Sequence, residues 1–143
     1  MTTRSEFPFA FPFRVRYSEI DGQSIVFNAH YLTYFDTAIT EFMRWLGYDY
    51  IGEVKETGQD FHTVKTLVEY KAPIYFDEEI EVAVKAARIG TSSLTFALAI
   101  FGRDGNDLRA TGEVVWVFTD QKTRRTVPVP DKLRTLIAAK TGT

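Results

Sequence analysis

The chain has 143 residues, a net charge of −2, 45% hydrophobic and 25% charged residues, and no cysteine. That length suits one domain with one core, the charge gives no general attraction to nucleic acid or an anionic membrane, and the missing cysteines exclude disulfides, thiol catalysis and cysteine-held zinc. The start, MTTRSEFPFAFPF, lacks the order of a signal peptide and no run reaches the ~20 apolar residues of a membrane span, so a cytoplasmic protein is expected.

Residues 1–10 carry no pattern and are expected to be loose or extended. Phe11, Phe13, Val15 and Tyr17 alternate with Pro12, Arg14 and Arg16, which predicts a first strand. A loop with Glu19 and Asp21 then feeds the longest helical pattern in the chain. Leu32, Phe35, Ile39, Phe42 and Leu46 recur at spacings of three and four and share one face, widened by Tyr34, Ala38 and Trp45. Asn28 is the expected N-cap and Gly47 the stop. Residues 48–59 are polar and contain glycine, and read as a loop with room for a helical turn.

From Phe61 the period becomes two. Val64, Thr66, Val68, Tyr70 and Ala72 make one face of a second strand that ends near Pro73. Ile80, Val82, Val84 and Ala86 make a third, and Gly90, Thr91 and Ser92 a turn. Leu94, Phe96, Leu98 and Ile100 make a fourth, whose other face (Ala97, Ala99, Phe101) is apolar as well. Asp104-Gly105 is a hairpin signal, and a fifth strand runs from about Leu108 to Thr119. A proline-rich stretch at 127–130 precedes a short helix with Leu133, Leu136 and Ile137 inward. Strand, long helix and a four-strand meander give an α+β domain with one antiparallel sheet. The doubly apolar fourth strand implies cover by another subunit.

Glu19 and Asp21 hold the chemistry. A helix N-terminus presents unpaired N–H donors and the positive end of its dipole, and a carboxylate beside such donors is half of a hydrolytic site. The plainer alternative is that two acids simply favour the helix start. Gly22-Gln23-Ser24 lacks the second glycine of a nucleophile elbow. His30 and His62 have no second histidine at i+4, so no metal site is expected. Lys122, Arg124 and Arg125 form the one basic cluster, either a solvated loop or a place for phosphates.

The run D-G-Q-S-I-V-F-N-A-H-Y-L-T-Y-F-D, from Asp21 to Asp36, resembles the signature of the hot-dog-fold acyl-CoA thioesterases of the 4-hydroxybenzoyl-CoA thioesterase type. Asp21 falls on that family's catalytic aspartate. Val26, Asn28, Ala29, Tyr31, Tyr34, Phe35, Asp36 and Ala38 fit variants of the pattern. Glu19 stands where a first aspartate is usual, and Ser24 where glycine is usual, a backbone geometry that serine reaches only at some cost. Shorter matches follow in Y-K-A-P at residues 70–73, in G-T-S-S at residues 90–93 and in the tail at residues 120–130.

The resemblance implies a hot-dog fold over residues 1–143 as a single thioesterase domain. A five-stranded antiparallel sheet would curl around a long central helix, followed by a short C-terminal helix. It also implies a homodimer or homotetramer with active sites across the interface. The expected activity is hydrolysis of an acyl or aroyl thioester to a carboxylic acid and free coenzyme A, with no cofactor. Asp21 would act as nucleophile or general base, and the Asn28 backbone N–H would hold the oxyanion. Glu19, His30 and Tyr31 would support the site, while Arg124, Arg125, Lys122, Ser92 and Ser93 would bind coenzyme A. The alternatives are a carrier-protein thioesterase and a non-catalytic acyl-CoA-binding hot-dog protein.

Overall fold

The computed structural model describes residues 2–142. Its strands are β1 (Phe9–Arg14), β2 (Gln59–Tyr70), β3 (Glu79–Ile89), β4 (Ser93–Gly102) and β5 (Leu108–Asp120). Its helices are α1 (His30–Leu46), α2 (Tyr50–Thr57) and α3 (Asp131–Thr141). The strands form one sheet in the order β1-β3-β4-β5-β2, with every neighbouring pair antiparallel.

Helix α1 packs against β1 and β2, the two opposite edges of that sheet, as well as against β3. Five strands laid flat span about 19 Å across at 4.8 Å spacing, too far for one helix to reach both edges. The sheet therefore curls around α1. The buried face of the helix is Tyr31, Tyr34, Phe35, Ala38, Ile39, Phe42, Met43 and Leu46. Full burial of a large apolar side chain is worth about 1.5–3 kcal/mol, so this face anchors the domain. Gly47, at φ 86, closes the helix as expected.

Gly112 of β5 lets the helix approach. A Cβ there would lie 2.2 Å from Cε2 of Phe35 and 3.1 Å from the Leu67 carbonyl oxygen. No side chain fits between α1 and the sheet at that point.

Several expectations need correction. Residues 2–10 are ordered: a 3-10 turn at Arg4–Glu6 leads directly into β1. The first strand ends at Arg14 rather than Tyr17, because a second 3-10 turn (Tyr17–Glu19) takes over. Leu32 is 48% exposed, and Tyr31 takes its expected place on the buried face. Both positions fit the helical spacing, and the sheet lies on the Tyr31 side. The expected loop at 48–59 contains α2, which Asp49 caps through a hydrogen bond from the Gly52 N–H and Gly58 ends at φ 69. In β2 the register shifts between Thr63 and Lys65, so Val64 falls at the irregularity and is 60% exposed rather than buried. Finally, the outer face of β4 is covered within the chain. Phe7 packs on Phe101, ring centroids 6.2 Å apart, and forms a second cluster with Ala83 and Ala99. The apolar outer face of β4 therefore does not require a second subunit.

Candidate active site

The loop before α1 is a tight hairpin. Ile20 bridges Val26, the Asp21 N–H donates to the Ile25 carbonyl at 2.9 Å, and the Ser24 N–H donates to the Asp21 carbonyl at 2.9 Å. A three-residue loop of this kind places its last residue in the left-handed region, where glycine is favoured. Ser24 occupies that position at φ 63. The backbone geometry expected at the family's glycine is thus present, carried by serine.

Glu19 holds the base of this hairpin. It is only 5% exposed. Its Oε1 accepts from the Arg16 backbone N–H and the Tyr34 hydroxyl, each at 2.8 Å, and its Oε2 accepts from Arg16 Nη2 at 2.8 Å. Burial pushes this carboxyl up, but the Arg16 backbone and side-chain bonds and the Tyr34 bond together outweigh it and hold Glu19 below the usual carboxylate range. The Glu19 carbonyl accepts from the Phe27 N–H at 2.9 Å. Both ends of the hairpin are thereby fixed, and the carboxylate is fully occupied in doing so.

Asp21 is half-buried, and its Oδ1 accepts from the Gln23 N–H at 2.8 Å. It opens on a cleft of about 460 Å³ shared with Val26, Asn28 and Tyr31 on one side and with residues 70–73 on the other. Tyr31 is buried, its hydroxyl pushed up by that burial, and its ring meets Tyr70 edge-on with centroids 4.8 Å apart. The Tyr70 hydroxyl donates to the Asn28 carbonyl at 3.3 Å.

Helix α1 begins one residue later than expected. Ala29, not Asn28, stands at the N-cap position with helical backbone angles, and no side chain caps the helix. The His30 N–H donates to the Phe27 carbonyl and the Tyr31 N–H to that of Asn28. Among the described residues, the Asn28 and Ala29 N–H groups have no backbone or side-chain acceptor. Two donors at the positive end of a 17-residue helix are thus available, and Asn28 shares the Asp21 cleft.

The remaining expected site residues lie elsewhere. His30 packs against Phe27, ring centroids 6.1 Å apart, outside the lining of the Asp21 cleft. Lys122, Arg124 and Arg125 are exposed on a turn closed by Asp120, whose Oδ1 accepts from the Lys122 and Thr123 N–H groups. Ser93 pairs with Val117 at the same end of the sheet. Along β5, Ala110 lies opposite Tyr70 and Asp120 opposite Gln59, which puts this group about 30 Å of strand away from the Asp21 cleft.

A second cleft of about 470 Å³ lies at that far end, between α1, α2 and β2. Phe61 and Trp116 stack there with centroids 3.4 Å apart. Trp116 Nε1 is the one buried side-chain nitrogen or oxygen without a partner among the described residues. No group of three or more His, Asp or Glu side chains among the described residues could hold a metal ion. No helix among them is long and apolar enough to cross a membrane.

The fold and the hairpin-to-helix site can now be set beside known proteins. The model of the thioesterase-like superfamily matches residues 15–137. The chain belongs to that superfamily. The acyl-CoA thioester hydrolase YbgC of Escherichia coli is 30% identical over 112 residues, 78% of this chain and 82% of the relative. Among solved structures, the PA5185 protein of Pseudomonas aeruginosa is 29% identical with a TM-score of 0.84, covering 96% of this chain and 94% of its own. SAV2348 of Staphylococcus aureus, solved in complex with CoA, is 22% identical with a TM-score of 0.85, covering 94% and 84%. The hot-dog fold and membership among thioester hydrolases, expected from the signature, are both borne out.

Sequence reasoning missed the Tyr34–Glu19 bond, although both residues stood inside the recognised signature. It noted Tyr70 and Pro73 as a motif without placing them at the site. Arg109, one of two buried charged residues among the described ones, went unnoticed altogether.

Proposed function

We propose that this superfamily member hydrolyses acyl-CoA thioesters, with Asp21 as the oxygen nucleophile or as the base that deprotonates water. The observation that supports this most is the cleft shared by Asp21 and Asn28, whose N–H, like that of Ala29 next to it in the chain, has no acceptor among the described residues. A thiolate leaves readily, since a thiol pKa is about 8.5, so no strong general acid is required. The developing oxyanion accepts from the helix N-terminal donors, which are fixed before the reaction begins. Glu19 keeps the hairpin in place and takes no part in the chemistry. The similarity to YbgC, an acyl-CoA thioester hydrolase, favours coenzyme A as the carrier.

The working unit in this reading is a pair of chains joined through β2. That strand forms an edge of the sheet and exposes Val64, Leu67 and Tyr70. An unpaired edge is a template for another strand. Antiparallel pairing about a two-fold axis sets the Tyr70 end of one chain beside the Gln59 end of the other. Each Asp21 cleft then faces the partner's far cleft and the partner's 120–125 turn. The 30 Å gap within one chain is thereby bridged, and Arg124 and Arg125 come within reach of the coenzyme A phosphates.

The deciding experiment is thiol release from acyl-CoA by Asp21→Asn. A base or nucleophile contributes on the order of 10²–10⁴ in rate, so a folded variant should lose at least a hundredfold. Near-normal turnover overturns the assignment.

A further inference from the structure

We infer that Arg109 is a positioning residue for the Asp21 hairpin, acting through the 71–78 segment that its guanidinium holds. This rests on the role proposed for Asp21. Arg109 begins the core of β5 and is only 8% exposed. Its guanidinium forks onto Glu78, with Nη1 to Oε1 and Nη2 to Oε2 both at 2.7 Å. Nη1 also donates to the Pro73 carbonyl at 2.9 Å, and Nη2 to Asp107 Oδ2 at 2.7 Å. The Arg109 backbone carbonyl accepts from the N–H groups of Lys71 and Ala72. One residue therefore grips both ends of a segment that lies outside every strand and helix.

That segment is the other half of the site. Its beginning, residues 71–73, forms the wall of the cleft opposite Asp21. Its middle pairs with the second limb of the hairpin: the Val26 N–H donates to the Ile74 carbonyl at 2.8 Å, and Ile25 bridges Tyr75. Its end contains Asp77 at φ 64. A non-glycine residue in the left-handed region persists only where its surroundings over-determine it. The Arg109–Glu78 fork adds to the constraint that Val15 and Arg14 impose, the Asp77 N–H donating to the Val15 carbonyl and Arg14 Nη1 to the Asp77 carbonyl. Glu78 Oε1 also accepts from the Tyr75 N–H at 2.8 Å.

The planar fork matters here, not the charge alone. A lysine ammonium at this position keeps the positive charge but cannot hold two carboxylate oxygens and a carbonyl in one plane. A displacement of about 1 Å at a catalytic group costs on the order of a hundredfold in rate. The nucleotide contacts proposed for Arg124 and Arg125 come from the partner chain's 120–125 turn, which the Arg109 fork does not hold, so nucleotide binding should be spared.

The test uses Arg109→Lys and Glu78→Gln in the full chain, since removing Arg109 outright leaves two carboxylates uncompensated. Arg109→Lys should lower kcat for acyl-CoA about tenfold or more with KM unchanged, and Glu78→Gln should do the same to a smaller degree. Amide hydrogen exchange at Val26 and Tyr75 should quicken in both, while exchange at Ser93 stays as in the wild type. In an Asp21→Asn background Arg109→Lys should change the residual rate hardly at all, because the two act on one group. A folded Arg109→Lys protein with wild-type kcat and exchange, or fully additive losses in the double variant, overturns the positioning role. If Asp21→Asn itself turns over normally, the reading of Asp21 fails instead, and the exchange at Val26 still decides whether Arg109 holds the hairpin.

Discussion

The Tyr34 hydroxyl donates to Glu19 Oε1 at 2.8 Å, tying the buried face of α1 to the turn that carries the Asp21 hairpin. Burial, with the Glu19 bond and charge, pushes the Tyr34 hydroxyl far above its ordinary value. Removing that hydroxyl leaves a buried carboxylate oxygen short of one donor, at a cost of about 1–3 kcal/mol. Tyr34→Phe should therefore lower stability by that amount in urea unfolding and reduce turnover as the hairpin loosens. A variant as stable and as active as the wild type would remove Glu19 from the role of anchor.

The same contact sets a pH dependence. The folded Glu19 carboxyl sits below its unfolded value of about 4.3. Its contribution to stability is therefore complete above that pH and is lost as pH falls through the lower folded value. Unfolding free energy measured from pH 6 to pH 3 should decline more steeply for the wild type than for Glu19→Gln. Parallel curves would show that Glu19 is not held as described.

Ser24→Gly tests the hairpin. Serine in the left-handed region costs roughly 1–2 kcal/mol, and glycine gives back about 0.5–1 kcal/mol through the freedom of the unfolded chain. The net change should lie between neutrality and a gain of about 1.5 kcal/mol, with activity retained. A clear loss of stability in thermal unfolding would mean that the serine side chain is needed there.

Much of this was legible in sequence because it is local. The periods of α1 and of the inner strands depend on side chains within one turn or one pleat, and the left-handed residue at position 24 followed from a motif a few residues long. What escaped was set by partners far apart in the chain. Arg109 meets Glu78 across 31 residues, and nothing near either one predicts the other. Phe7 covers β4 from the other end of the chain, so the strand's second apolar face looked orphaned. Leu32 and Tyr31 fitted the helical spacing equally, and only the position of the sheet chose between them. Helix α2 is longer than the single turn expected there, with Asp49 as cap and Gly58 as stop.

Gly112→Ala should be costly for a reason that only the packed structure reveals. The added methyl overlaps the ring of Phe35, which is fully buried. Overpacking of this kind costs about 1–3 kcal/mol. Phe35→Leu in the same chain should recover part of the loss, measured as the thermal midpoint. No recovery would mean that the clash with the Leu67 carbonyl dominates.

Arg124→Gln with Arg125→Gln should raise KM for acyl-CoA about tenfold or more and leave kcat nearly unchanged, as loss of uniform binding does. An acyl-pantetheine without the nucleotide should be insensitive. Unchanged KM for acyl-CoA would leave the 120–125 turn as a solvated connection. A particle mass of 16.4 kDa by light scattering at micromolar concentration would count against the β2 pairing that brings this turn to the site.

The far cleft also gives the molecule an optical gauge. Of the chain's two tryptophans, Trp116 is buried with its Nε1–H unpartnered and Phe61 stacked on its face, while Trp45 is only half-buried and lies under the Lys140 ammonium at 4.6 Å. An indole without polar partners emits at shorter wavelength than one beside water and a cation. The two signals can therefore be separated by replacing Trp45 alone. Whatever enters the cleft, or draws Phe61 aside, changes the ring's surroundings and shifts its ultraviolet emission. Occupancy at the far end of the sheet can thus be followed in the unlabelled protein, independently of turnover at Asp21.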